Sequence, residues 1–144
     1  MVIYSNPQLG FSFERPSTWR QDTTVKDGVR FTGVDESMTL VFVKPNTKDL
    51  MAYASSDARQ FAASQPNYKQ AGLAKSTEVA NAVLLGFQTT GTSQVTGKAY
   101  PARGDRYYVA LKDGRIAVLT VTTSARNYDG QGIRDMVLSL KITR

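Results

Sequence analysis

The chain has 144 residues, 41% of them apolar and 21% charged, with a net charge of +6 and neither cysteine nor histidine. That length holds one domain with a core of its own and needs no staples. The missing cysteine excludes disulfides, zinc–thiolate sites, iron–sulfur clusters and a thiol nucleophile, and the missing histidine removes the usual general base, the usual activator of serine and the commonest transition-metal ligand.

Val2-Ile3-Tyr4 is strand-like and follows Met1 directly. No leader is read before it, so the chain has the look of a mature domain. Phe11 and Phe13 lie two apart, so a strand turns both to one face and Ser12 and Glu14 to the other. Pro16 lacks the N–H that a ladder needs and ends that strand. Trp19 is close enough to fold back over the strand end, and a Phe/Phe/Trp cluster closing one end of a core is expected rather than an aromatic ligand box.

Thr23-Thr24-Val25 reads as a short strand, Asp27-Gly28 as a turn and Val29-Arg30-Phe31 as the returning strand. Val34-Asp35-Glu36-Ser37 reads as a polar loop. From Met38 to Lys44 the sequence is apolar on both faces, the mark of a strand covered on both sides. Pro45-Asn46-Thr47 ends it, with Thr47 as the expected N-cap of a helix. Leu50, Tyr53, Ala54, Ala58 and Phe61 then recur at helical spacing, with Ser55, Asp57, Arg59 and Gln60 on the wet side. Pro66 requires the helix to stop near Ser64-Gln65.

Tyr68 to Glu78 is polar and reads as an edge strand, where Lys69 and Lys75 discourage further pairing. A turn at Asn81-Ala82 leads to Val83, Leu85 and Phe87, alternating with Leu84 and Gly86. Thr89 to Gly104 is rich in Thr, Ser and Gly and reads either as a mobile loop or as two twisted, exposed strand ends. As the longest irregular segment it is the expected place of partner contact, through Lys98, Tyr100 and Arg103. Gly97-Lys98 is followed by Ala99, so the segment is no phosphate loop.

Arg106–Lys112 and Arg115–Thr122 form the clearest hairpin. A two-residue turn at Asp113-Gly114 sets Leu111 opposite Ile116 and Val109 opposite Val118, with Tyr108 opposite Leu119 and Ala110 opposite Ala117. Both faces are apolar, so the hairpin is central. A last helix starts at Asp129 as N-cap. Tyr128 and Ile133 have the spacing of a hydrophobic staple, and Ile133, Met136, Val137 and Leu140 lie on one face.

No constellation for catalysis emerges. Asp35 and Glu36 are loop neighbours that point apart, Asp27 and Asp113 serve turns, and Glu14 lies on an outer face. Asn127-Tyr128-Asp129-Gly130 begins like a calcium loop and lacks the rest. Arg103, Arg106, Tyr107 and Tyr108 come closest to a nucleic-acid surface, but successive tyrosines point to opposite faces and the basic charge is dispersed. No apolar run approaches the ~20 residues of a membrane helix.

The stretch Gly10-Phe11-Ser12-Phe13-Glu14-Arg15-Pro16-Ser17-Thr18-Trp19 resembles the opening of PsbP-like domains, Gly-Phe-aromatic-x-x-Pro-x-x-Trp. Gly28-Val29-Arg30-Phe31, Leu40-Val41-Phe42-Val43, the helix from Lys48-Asp49-Leu50, the hairpin at Asp113-Gly114 and the closing Leu138-Ser139-Leu140 follow in the family's order. Where the family usually ends in Ser-Phe, this chain has Ser139-Leu140. The resemblance implies a PsbP-like α/β/α sandwich, protein binding without catalysis and no cofactor. It also implies an extracytoplasmic place, as an exported or lipid-anchored bacterial member held near a membrane by a removed N-terminal segment.

The pattern of elements itself leads to an α+β fold, a mostly antiparallel sheet of about six strands with helices on both faces. The expected function is a non-catalytic protein-binding or assembly module. The alternatives are an enzyme working with Asp, Lys, Arg, Ser or Tyr alone, and a basic domain that binds an anionic surface, membrane or nucleic acid.

Overall fold

The computed structural model describes residues 1–22 and 25–143. The elements run β1 (Val2–Asn6), β2 (Phe11–Arg15), β3 (Arg20–Asp22), β4 (Gly28–Gly33), β5 (Glu36–Val43), α1 (Leu50–Ala63), β6 (Lys69–Lys75), β7 (Ala82–Thr92), β8 (Ala99–Ala110), β9 (Ile116–Ser124), α2 (Gly130–Leu138) and β10 (Lys141–Ile142), with a 3-10 turn at Ala125–Asn127 before α2. Seven strands form one antiparallel sheet in the order β3-β4-β5-β9-β8-β7-β6, and β1, β2 and β10 form a separate small sheet. The α+β sandwich with helices on both faces is therefore present, with seven main strands where about six were expected.

The two faces of the main sheet hold two cores. One is covered by α1, whose Ala54 and Ala58 meet Val83, Leu85, Phe87, Tyr108, Ile116 and Val118. The other is covered by α2 together with the small sheet. There Phe11, Phe13 and Trp19 join Phe31, Leu40, Leu119, Ile133 and Met136. The opening Phe-x-Phe strand thus belongs to a covering layer, not to the central sheet. Its alternation is as expected: Phe11 and Phe13 are each 1% exposed, and each such burial is worth roughly 1.5–3 kcal/mol. Trp19 is buried and its Nε1 donates to Glu36 Oε2 at 3.1 Å. β8 and β9 lie at the sheet centre and β6 at its edge, both as the apolar patterns require.

Several local expectations need correction. The register of the central hairpin is shifted by one: Ala110 faces Ile116, Val109 faces Ala117, Tyr108 faces Val118 and Tyr107 faces Leu119. The turn has three residues rather than two. Leu111 N donates to Arg115 O at 2.9 Å and Gly114 N to Leu111 O at 3.2 Å, and Gly114 takes φ +89°. Type I geometry followed by a left-handed glycine competes with the two-residue turn for an Asp-Gly sequence.

The N-cap of α1 is Asp49, whose Oδ1 accepts from Ala52 N at 3.1 Å. Thr47 instead accepts from Asp49 N, holding the capping residue in place. Glu36 and Ser37 are paired in β5, so the predicted polar loop reduces to the turn at Val34-Asp35, with Asp35 at φ 55°. Of the strand expected at Thr23–Val25, Thr23 and Thr24 lie outside the described residues. The strand that pairs with β4 is Arg20–Asp22. Thr89–Gly104 takes the second of its two expected forms: two long strand ends joined by residues 93–98. It is therefore not the longest irregular segment. The Asp129 cap stands, its Oδ1 accepting from Gly132 N at 3.0 Å.

A hydroxyl-lined cleft beside the first helix

Helix α1 crosses β6, β7 and β8, and its core takes in only one end of β5 and of β9, at Val41, Val43, Ile116 and Val118. The sequence records where its cover stops. Along β9 the α1-facing residues change from Ile116 and Val118 to Thr120 and Thr122. Along β5 they change from Val43 and Val41 to Thr39 and Ser37, and along β7 from Phe87 to Thr89. Strand alternation carries each change on one face. The result is a cleft of about 340 Å³ with a threonine floor, bounded by Phe61 of α1 and Gln65 just past its end, Arg30 and Thr32 of β4, and Gln94 and Tyr100 of the β7–β8 hairpin.

At the helix side the floor is fixed by a polar hub. Asp57 Oδ2 accepts from Arg106 Nε at 3.0 Å and Nη2 at 2.9 Å, and from the Tyr108 hydroxyl at 2.6 Å. Arg106 Nη1 donates to Thr120 Oγ1 at 2.7 Å, and its guanidinium lies 4.5 Å over the Phe61 ring. Burial, then the bond to Asp57, hold the Tyr108 hydroxyl well above the ordinary tyrosine range, so it stays a neutral donor. Asp57, placed on the wet side of α1 by its spacing, thus turns inward. Its partner is 49 residues away in the chain, so helical periodicity could not reveal it. The one available signal was an Arg at a sheet-facing position, which demands an acid from the covering layer.

At the far end the Tyr100 ring lies across Gly91, its cross-strand partner, where a Cβ would come within 2.4 Å of the ring. Burial raises the Tyr100 hydroxyl, and the nearby Asp35 charge raises it further. Asp35 Oδ1 and, on the adjoining β9 end, Ser124 Oγ are buried without a hydrogen-bond partner. Two apolar side chains stand out on the hairpin tips to either side: Val34 is 73% and Val95 81% exposed.

The three expected contact residues are separated. Tyr100 lines the cleft. Lys98 is exposed in the turn at the tip of the same hairpin, where its carbonyl accepts from Ser93 N at 2.9 Å. Arg103 lies on the opposite face of the sheet, its guanidinium 4.1 Å over the Tyr128 ring. Tyr107 and Tyr108 are buried in the two different cores and Arg106 is tied to Asp57, so the best candidate nucleic-acid surface is taken up internally. Among the described residues no group of three or more acids has the geometry to hold a metal ion. No helix among them is long and apolar enough to cross a membrane.

No profile of a known protein family matches this chain, and no curated protein does. Solved structures do. The Ran-binding protein Mog1p of Saccharomyces cerevisiae superposes with a TM-score of 0.68 at 9% identity, over 99% of this chain and 95% of that one. A Mog1 point mutant gives 0.64 at 9% identity over 93% and 91% of the two chains. A protein from Bacteroides thetaiotaomicron gives 0.61 at 9% identity, over 99% of this chain and 48% of that one. At such identities the likeness is one of fold.

Proposed function

We propose that this chain is a non-catalytic protein-binding module, docking a partner across the threonine cleft and the two hairpin tips that flank it. The observation that carries this reading is the exposure of Val34 and Val95, at 73% and 81%, on either side of a concave surface of hydroxyl and amide groups. Apolar anchors around a polar, water-accessible centre suit protein recognition. Arg106 of the cleft and Asp57 beside it are spent on each other, so this pair is not free for proton transfer. The fold likeness to a Ran-binding protein supports a protein partner. Lys98 and Tyr100, on the hairpin that carries Val95, belong to the same docking surface.

The reading includes an extracytoplasmic place for the module, supported by the PsbP-like opening motif Gly10–Trp19. Fractionating cells that express the protein from its own gene checks this.

The docking test is a pull-down from membrane and envelope fractions at low and high salt, with photo-crosslinkers at Val34 and Val95. One protein crosslinked from both tips, retained in high salt and lost in Val34→Asp/Val95→Asp, is the expected result. Broad retention of anionic material that salt abolishes would overturn it in favour of a charged-surface binder.

A further inference from the structure

We infer that the face of the sheet opposite the cleft carries a site for a lysine ammonium of a partner protein, in a groove that runs from edge strand β6 across β7 to Asp105. This groove holds about 380 Å³. Asp105 is 4% exposed in the middle of the sheet. Among the described residues its carboxylate receives only the Tyr128 hydroxyl, 2.9 Å from Oδ1 and 2.7 Å from Oδ2. Among the described residues it forms no ion pair. Arg103 lines the same groove, and its guanidinium stacks on the Tyr128 ring at 4.1 Å rather than pairing with the carboxylate. A carboxylate so buried is normally matched by a cation, because the charge loses its hydration. Burial accordingly pushes the Asp105 carboxyl up, against the pull of the Tyr128 bond and the Arg103 charge.

The floor of the groove shows why a ligand can reach it. Gly72 and Gly86 are cross-strand partners. Neither has a positive φ, and neither is held to glycine by crowding. A Cβ on Gly72 would meet nothing within 4 Å, and one on Gly86 would meet only Ala71 Cβ at 3.6 Å and Asp105 Oδ1 at 3.8 Å. Glycine inside a strand costs stability and marks a bulge or the close approach of another group. The bulge at Ala71 accounts for Gly72 alone. Together the two missing side chains leave a slot, walled by Leu84 and Tyr107, that ends on the carboxylate. A compact ammonium on an aliphatic stem fits it: the stem lies along the apolar wall and the head supplies the donors that Asp105 lacks. The +6 net charge repels cations from the surface at large, and Lys75 and Arg103 line the groove itself, so the buried carboxylate, in no ion pair among the described residues, is the one group that selects this place.

This site does not rest on the cleft reading, since the two lie on opposite faces and are removed by different substitutions. The test is an amide-resolved NMR titration of the labelled domain at neutral pH with the blocked tripeptide acetyl-Gly-Lys-Gly-amide. Saturable shifts at Gly72, Gly86, Asp105 and Tyr128 are expected, with a Kd of about 1–10 mM for a single anchoring side chain. The norleucine peptide should give none. Asp105→Asn should weaken binding at least tenfold. Gly72→Val, whose new side chain enters open space and leaves the fold intact, should do the same. Absence of saturable shifts, equal shifts with norleucine, or unchanged affinity in Gly72→Val would each overturn the assignment.

Discussion

Removing the Asp57 carboxylate tests whether the polar hub, rather than apolar contact alone, holds α1 against the sheet. In Asp57→Ala the Arg106 guanidinium loses its counter-ion and the Tyr108 hydroxyl loses its acceptor. Breaking a buried ion pair from one side costs about 3–5 kcal/mol. The two side chains are 16% and 19% exposed, so some water reaches them and the low end applies. Alanine returns about 0.5 kcal/mol in helix propensity. The expected net loss is about 2.5 kcal/mol, or roughly 8 °C in Tm for a domain of this size. Urea unfolding measures it, with an unchanged m-value showing that the unfolded state is unaltered. The second arm is Arg106→Met, which keeps an unbranched chain against Phe61 and removes the cation. Combined with Asp57→Ala it should cost at least ~1.5 kcal/mol less than the sum of the single losses, because the double variant buries no unpaired charge. A single loss below ~1 kcal/mol, or additivity within ~0.5 kcal/mol, would refute the reasoning.

Three further outcomes follow from the same structure. Asp49→Ala should cost about 1 kcal/mol and Thr47→Ala distinctly less, since Asp49 caps α1 and Thr47 only braces it; thermal unfolding of the two variants decides. Gly114→Ala should cost about 1–2 kcal/mol, because φ +89° is forbidding to a side chain; an unchanged Tm would mean that the hairpin can return to a two-residue turn. Asp105 has a folded pKa raised by burial, so the native state holds its proton more tightly than the unfolded chain and loses stability as pH rises from about 4 through that raised value. The stability of Asp105→Asn relative to the unsubstituted protein should therefore improve between pH 3 and pH 7. Paired denaturant titrations read this, and a constant or opposite difference would contradict it.

Much of the architecture was written locally. Phe11 and Phe13 are buried and Glu14 is exposed because strand alternation leaves no other choice. Leu50, Tyr53, Ala54, Ala58 and Phe61 lie along one helix stripe, and Pro66 bounds the helix beyond Ser64. Where a local rule offered two outcomes of similar energy, the choice could go wrong. Asp113-Gly114 suits both two- and three-residue hairpin loops, and the wrong one moved every predicted pair of β8 and β9 by one residue. Thr47 and Asp49 are both good caps, and the helix uses the second while the first accepts from Asp49 N.

The candidate sites were less legible. The switch from Val, Ile and Phe to Thr and Ser along β5, β7 and β9 is visible in the sequence. Its meaning is not, because it depends on where α1 stops on the sheet. Tyr100 and Arg103 look like neighbours in a basic, aromatic segment, yet an odd separation in a strand sends them to opposite faces. Asp57 meets Arg106, and Asp105 meets Tyr128, only through packing of elements distant in the chain.

By itself the sequence determined most of the element types, the α+β class, the central place of the β8–β9 hairpin and the absence of thiol and imidazole chemistry. These follow from residue identity and periodicity within a few positions, where backbone sterics and apolar burial act. Tertiary structure alone decided which charges are paired, which glycines open a groove and which polar residues share a surface. Those depend on how far one element covers another, and no local periodicity records that distance.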